Sequence, residues 1–213
     1  MHTRMRFVVS LISLAFSTLA VAAGEPHLGT DYTVIESAAA VDKSSKVQVT
    51  EFFSYQCPHC FAFAKPLHEW TMKLPADVQF ERKAVSLGHQ SWVDVARTYY
   101  ALQEMGNLES LDAAIFNAIH QQGVKLNEIA YIMGWLKQQK VTLEQFDVVY
   151  RSAKVREALA AGEQQSVRYK IPGIPAMVID GKYLVSIASN KPFDQQLATL
   201  DKVIALARTD RAK

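Results

Sequence analysis

The chain has 213 residues, 49% of them apolar, with 23 basic and 21 acidic side chains and two cysteines. That supplies apolar material for one sizeable core, and the charge is too balanced to indicate nucleic acid or an anionic membrane surface as a partner. No low-complexity tract, internal repeat or long linker interrupts it.

Residues 1–22 read as a cleaved signal peptide. Arg4 and Arg6 give a positive start, residues 7–21 are apolar apart from Ser10, Ser13, Ser17 and Thr18, and Ala20-Val21-Ala22 places small residues where a signal peptidase inspects them. Val21-Ala22-Ala23 is the next register. At about fifteen residues the apolar run falls short of the ~20 that span a bilayer, which favours export over anchoring. Cleavage removes both arginines and no acidic residue, leaving 21 charges of each sign.

Residues 33–36 predict a short first strand and residues 47–55 a second, bounded by Asp42-Lys43-Ser44-Ser45 and a Cys-Pro turn. Pro58 suits a first helical turn, where no amide donor is missed. Phe63, Leu67, Trp70 and Leu74 then keep helical spacing, with a kink expected at Pro66. Residues 78–87 alternate as a third strand. From Ser91 to about Arg168 the chain reads as helical. Ser91-Trp92-Val93-Asp94, Asn127 and the capping box Thr142-Leu143-Glu144-Gln145 are expected helix starts, and Gly106-Asn107 and Gly123 expected stops. Four or five such helices make a bundle able to hold its own core. Ala176-Met177-Val178-Ile179, the turn Asp180-Gly181 and Lys182-Tyr183-Leu184-Val185 predict a hairpin. Lys191-Pro192 opens a last helix with Phe193, Leu197, Leu200, Ile204 and Ala207 on one face. Without its helical middle the order is βαβ then ββα. That is the thioredoxin-like α/β arrangement: residues 24–88 and 169–213 form a discontinuous domain, and residues 89–168 an inserted α-helical domain.

The cysteines stand together as Cys57-Pro58-His59-Cys60. A disulfide across two intervening residues removes little entropy from the unfolded chain, so it is a poor staple. In an exported protein, where cysteine pairs are normally structural, this one reads as a redox-active disulfide. Cys57, the expected nucleophile, would sit exposed at the positive end of a helix with free amides towards its sulfur, which lowers a thiol's pKa. Cys60, one turn on and more buried, would resolve a mixed disulfide. Pro58 pre-sets the turn, and His59 can stabilise the Cys57 thiolate and make the disulfide more oxidising. Zinc needs about four ligands, and the other histidines of the mature chain (His27, His68, His89 and His120) offer no spacing for it. Covalent haem needs a histidine after the second cysteine, where Phe61 stands. No metal or other cofactor is therefore expected.

Ile171-Pro172-Gly173-Ile174-Pro175-Ala176 is the second informative stretch. In a thioredoxin-like fold the loop before the fourth strand approaches the CxxC. A cis proline at Pro175 would leave the Ile174 backbone free to receive a substrate strand.

Glu51-Phe52-Phe53-Ser54-Tyr55-Gln56-Cys57-Pro58-His59-Cys60, with Gly173-Ile174-Pro175-Ala176-Met177 and Asp180-Gly181-Lys182-Tyr183, resembles the DsbA family of periplasmic thiol:disulfide interchange proteins over essentially the whole mature chain. The resemblance implies a monomeric periplasmic oxidase. Its substrates would be unfolded or reduced exported proteins, and a DsbB-like quinone-linked membrane protein would reoxidise it. It also sets Glu51 where the family buries an acid behind the active site and Arg82 where a basic partner stands; the other reading of that pair is a weak strand-surface ion pair. An acid that some relatives carry on the active-site helix is absent, Ala64 standing there instead. Two other functions remain open: a disulfide isomerase or reductase, and a peptide-binding chaperone with an incidental redox pair.

Overall fold

The computed structural model describes residues 25–36, 46–188 and 190–212; the leader reading lies outside them. The elements follow in the order β1 (Thr33–Val34), β2 (Val47–Phe53), α1 (Pro58–Thr71), β3 (Val78–Ala84), a 3₁₀ turn (Gln90–Trp92), α2 (Val93–Glu104), α3 (Leu108–His120), α4 (Ile129–Gln138), α5 (Leu143–Tyr150), α6 (Ala153–Arg168), β4 (Ala176–Ile179), β5 (Tyr183–Ser186) and α7 (Phe193–Arg211). The five strands form one sheet in the order β1-β5-β4-β2-β3. Only β2 and β3 run parallel, and the other pairs are antiparallel.

β2 lies inside the sheet; Gln48, Thr50 and Glu51 interrupt its apolar residues, yet all but Gln48 are buried. Its period of two divides the residues between cores. Val47 and Val49 pack with Phe63 and Leu67 of α1 and with Leu200 and Ile204 of α7. Phe52 faces the other way, with Ala176, Val178 and Leu184. Phe53, at the far end of β2, enters a third cluster built from α2 to α5, including Leu102, Ile115, Leu136 and Phe146. The helices between β3 and β4 thus bury their apolar stripes on a core continuous with the sheet and with Cys57 and Cys60, rather than on a core wholly their own.

The local expectations hold unevenly. Asp180 and Gly181 both take positive φ, 53° and 62°, the mirror-image turn that matches strand twist in a two-residue hairpin. Asp180 also accepts from the Gln48 amide at 2.9 Å and from Arg211 at 2.6 and 2.7 Å, fastening the end of α7 to this turn. β3 ends at Ala84 rather than residue 87, because Leu87 and Gly88 turn into the left-handed region (φ 48° and 82°). Hydroxyls from α2 then serve carbonyls of this edge strand, Tyr99 donating to Arg82 O and Tyr100 to Ala84 O. β2 stops at Phe53, not Tyr55, and α1 continues through Pro66. Of the expected helix starts, Thr142 holds, standing at the N-cap of α5 though without a side-chain cap bond, whereas Ser91 falls in the 3₁₀ turn. Asn127 does not cap α4. Asp94, 35 positions away, accepts from the Ile129 amide at 3.0 Å and also binds the Tyr150 hydroxyl.

Candidate active site

The chain leaves β2, turns through Ser54, Tyr55 and Gln56, and enters α1 with Cys57 at the N-cap and Pro58 in the first turn. The Cys57 amide donates to Ser54 O at 3.2 Å and Phe61 N to Cys57 O at 3.0 Å, which fixes the cysteine to both elements. Pro58 and His59 are exposed. Both cysteines are unbridged, Cys60 being 1% exposed and Cys57 5%, so the expected nucleophile, Cys57, is more enclosed than an exposed sulfur. Its opening is an adjoining groove of about 560 Å³, lined by Leu87, His89, Trp92, Val167, Ile171 and Ile174 among others.

The two sulfurs differ sharply. The Cys60 thiol donates to Cys57 and lowers the Cys57 pKa to about 6; burial opposes this, and the amides of Cys60 and His59 reinforce it. The charge of the His59 ring contributes less than these bonds, so His59 acts more through its backbone than sequence reasoning suggests. Burial pushes Cys60 well above the ordinary thiol value, and its bond to Cys57 adds to the rise. One sulfur is therefore a thiolate at neutral pH and its neighbour a thiol.

Ile174 and Pro175 arrive from the far end of the chain. Their peptide bond is cis, and the Cys57 sulfur lies 3.5 Å from the Ile174 carbonyl oxygen. Pro175 O holds Ile187 N at 3.1 Å, so the loop is tied to the end of β5.

Glu51 and Arg82 are register partners on β2 and β3. Glu51 is 1% exposed and its Oε2 accepts from Arg82 Nε at 2.6 Å, making a buried pair rather than a strand-surface one. Burial raises the Glu51 pKa against the pull of Arg82. Two members of this cluster escaped sequence reasoning. Arg82 Nη1 also donates to Asp112 on α3 at 2.8 Å, and the Tyr55 hydroxyl donates to the other Asp112 oxygen at 2.5 Å. The guanidinium lies 3.8 Å over the Phe53 ring. The available signal was an acid on an apolar face: Asp112 follows Leu108 by four positions and precedes Ile115 by three. Among the described residues no group of three or more His, Cys, Asp or Glu side chains could hold a metal ion, and no helix is long and apolar enough to cross a membrane.

Residues 48–201 match the model of the DSBA-like thioredoxin domain. The thiol:disulfide interchange protein DsbA of Pseudomonas aeruginosa is 30% identical over 212 residues, spanning 98% of this chain and all of that one. The crystal structure of the P. aeruginosa DsbA superposes with a TM-score of 0.79 at 31% identity, covering 86% of this chain and 95% of that one. The oxidoreductase DsbA of Xylella fastidiosa gives 0.79 at 25% identity, covering 87% and 100%.

Proposed function

The chain belongs to the DSBA-like thioredoxin domain family, and on that footing we propose that it is a periplasmic dithiol oxidase that donates a Cys57–Cys60 disulfide to newly exported proteins. The single observation that carries this reading is the contrast between the sulfurs, with Cys57 at about 6 and Cys60 pushed far up.

In the oxidised enzyme a substrate thiolate attacks the Cys57 sulfur. The Cys57–Cys60 bond breaks, and Cys60 leaves with the electron pair and takes up a proton, as its raised pKa demands. A second substrate thiolate then attacks the substrate sulfur of the mixed disulfide. Cys57 departs as a thiolate, and two electrons have passed from substrate to enzyme. A low-pKa sulfur is a good leaving group and a stable product, and both effects drive the exchange towards substrate oxidation. Pro58 and His59 shape this end of α1. Glu51 and Arg82 tune its charge from beneath.

The substrate chain lies extended beside Ile174 and Pro175, where the carbonyl meeting Cys57 is available to a backbone donor. Backbone pairing suits an enzyme that serves many unrelated sequences. Residues 24–88 and 169–213 act as the redox unit, with residues 89–168 as its helical insertion. The signal-peptide pattern of residues 1–22 supports periplasmic delivery, and a DsbB-like quinone-linked membrane oxidase restores the disulfide of a monomeric enzyme. Equilibration with glutathione tests the reading. A poise near the ~−120 mV characteristic of DsbA supports an oxidase, whereas one near thioredoxin's ~−270 mV refutes it.

A further inference from the structure

The turn that carries Cys57 into α1 is held partly from outside the sheet. Ser54 O takes the Cys57 amide at 3.2 Å and Ser54 Oγ the Gln56 amide at 3.2 Å, while the Ser54 amide serves the Cys60 sulfur. Tyr55 is wholly buried, and its carbonyl has a partner in half-buried His120, whose Nε2 lies 2.7 Å away. A carbonyl only accepts, so Nε2 carries the hydrogen, in the neutral ring and the charged ring alike. The same ring lies flat on Phe61, the residue after Cys60, with centroids 4.8 Å apart and planes 12° apart. Both sides of the Cys57-Pro58-His59-Cys60 tetrad therefore rest on one side chain from the last turn of α3. Gln56, directly before Cys57, adds a second tie, donating from Nε2 to Leu126 O beyond α3 at 3.1 Å.

We propose that His120 is a positioning residue of the redox site: its ring N–H holds the Tyr55 carbonyl, and stacking on Phe61 holds the ring to that task. It acts through the backbone on either side of the tetrad. A buried carbonyl that loses its donor is costly, and the chain moves to find it another. The chain that would move here is the one that places the Cys57 sulfur among the amides of His59 and Cys60, bonds that favour its thiolate. The inserted helices thus set where the reactive sulfur sits at the end of α1, not only what covers the sheet. The inference rests on the oxidase reading for its purpose, though not for its geometry.

The test titrates the Cys57 thiolate by its ultraviolet absorbance in the reduced full chain. His120→Phe keeps a ring against Phe61 and removes the donor; the midpoint should rise by about one pH unit, a tenfold gain in proton affinity. The glutathione equilibrium should move by a similar factor towards the oxidised protein, which becomes the weaker oxidant. His120→Asn, whose amide stops at the place of the other ring nitrogen, should rise likewise and serves if the Phe variant does not fold. His120→Gln, whose amide reaches the place of Nε2, should stay within about threefold of the wild type. An unchanged midpoint in the Phe and Asn variants, or an equal rise in His120→Gln, would overturn the proposal. Gly162→Ala, which crowds Tyr100 away from this turn, should lower stability and leave the midpoint in place. An equal rise there means that a loosened fold, not a lost donor, moves the thiol, and the proposal fails. In the wild type, ¹⁵N NMR should find the His120 Nε2 protonated and coupled across the hydrogen bond to the Tyr55 carbonyl carbon; a neutral ring protonated at Nδ1 alone refutes the brace directly. A wild-type chain that exchanges no disulfide at all sinks the oxidase reading, while the thiolate midpoints still decide this one.

Discussion

The stability of the reduced protein should depend on pH in a way the oxidised protein does not share. Cys57 titrates at about 6 in the folded dithiol form and near ~8.5 in an unfolded chain. A group whose pKa is depressed by folding stabilises the native state above the unfolded value, and the benefit is lost as pH falls through the folded one. With these two values Cys57 adds about 2.5 kcal/mol at pH 8, roughly 1.4 at pH 7 and almost nothing at pH 5. Cys60, pushed upwards, takes back only about 0.2 kcal/mol at pH 8 through its ionisation in the unfolded chain. The oxidised protein has neither thiol, so the free-energy gap between the two forms isolates the term from every group that titrates alike in both. Urea unfolding of reduced and oxidised protein at pH 5, 7 and 8 measures it. The reduced form should gain about 2–3 kcal/mol on the oxidised form between pH 5 and 8, and Cys57→Ser, which forms no disulfide, should gain less stability over that range than the reduced wild type by about the same amount. A gap that is flat across this range, or that widens as pH falls, would refute the assignment of the thiolate to Cys57.

Cys57→Ser should abolish exchange, whereas Cys60→Ala should accumulate mixed disulfides visible on non-reducing gels; substrates trapped by the Cys57 variant instead would reverse the two roles. Arg82→Met strands the buried Glu51 carboxylate and should cost about 3–5 kcal/mol in urea unfolding. Because burial already raises Glu51, protonation relieves that loss, which should be smaller at pH 5 than at pH 8 and largely suppressed by Glu51→Gln. Gly162→Ala would set a methyl 2.6 Å from the Tyr100 hydroxyl that serves Ala84 O, and should cost about 1–3 kcal/mol. Gly134→Ala, in open space within α4, should stabilise by about 0.5–1 kcal/mol in the same denaturation assay.

The readable parts of this protein are those fixed by short-range pattern. The Asp180-Gly181 turn, the step from strand to CxxC to helix, and the helical middle each depend on residues within a few positions of one another. Glu51 and Arg82 were readable as a pair only through the family resemblance; the parallel register of β2 and β3 is what brings them level. Their burial was not readable, since it depends on how α2 and α3 cover the end of the sheet. The failures share one cause. Asp94 caps α4 from 35 positions away, and Asp112 meets Tyr55 across 57 and Arg82 across 30. A local rule finds Asn127 because it is adjacent; tertiary packing chooses Asp94 because α2 lies against the start of α4. Cys57 was expected to be exposed because a nucleophile must be reached, but the groove beside it provides that access to a sulfur mostly covered by its surroundings.

The position of β2 has a consequence for the order of assembly. One of its neighbours, β3, follows 31 positions later (Val47 opposite Val78), whereas the other, β4, is 130 positions away (Val49 opposite Ile179). Loop closure grows so slowly with length that about two doublings cost only about 1.2 kcal/mol, making the long excursion cheap for the finished fold. In time it is not cheap, because distant pairings wait for nearer ones. Thus β2, α1 and β3 can join early, bearing both cysteines, and the Ile174 carbonyl that meets Cys57 across 117 residues joins late. The nascent chain therefore holds both cysteines before it holds the loop proposed to receive a substrate. Its own maturation is complete only when the chain's last third has closed over the first.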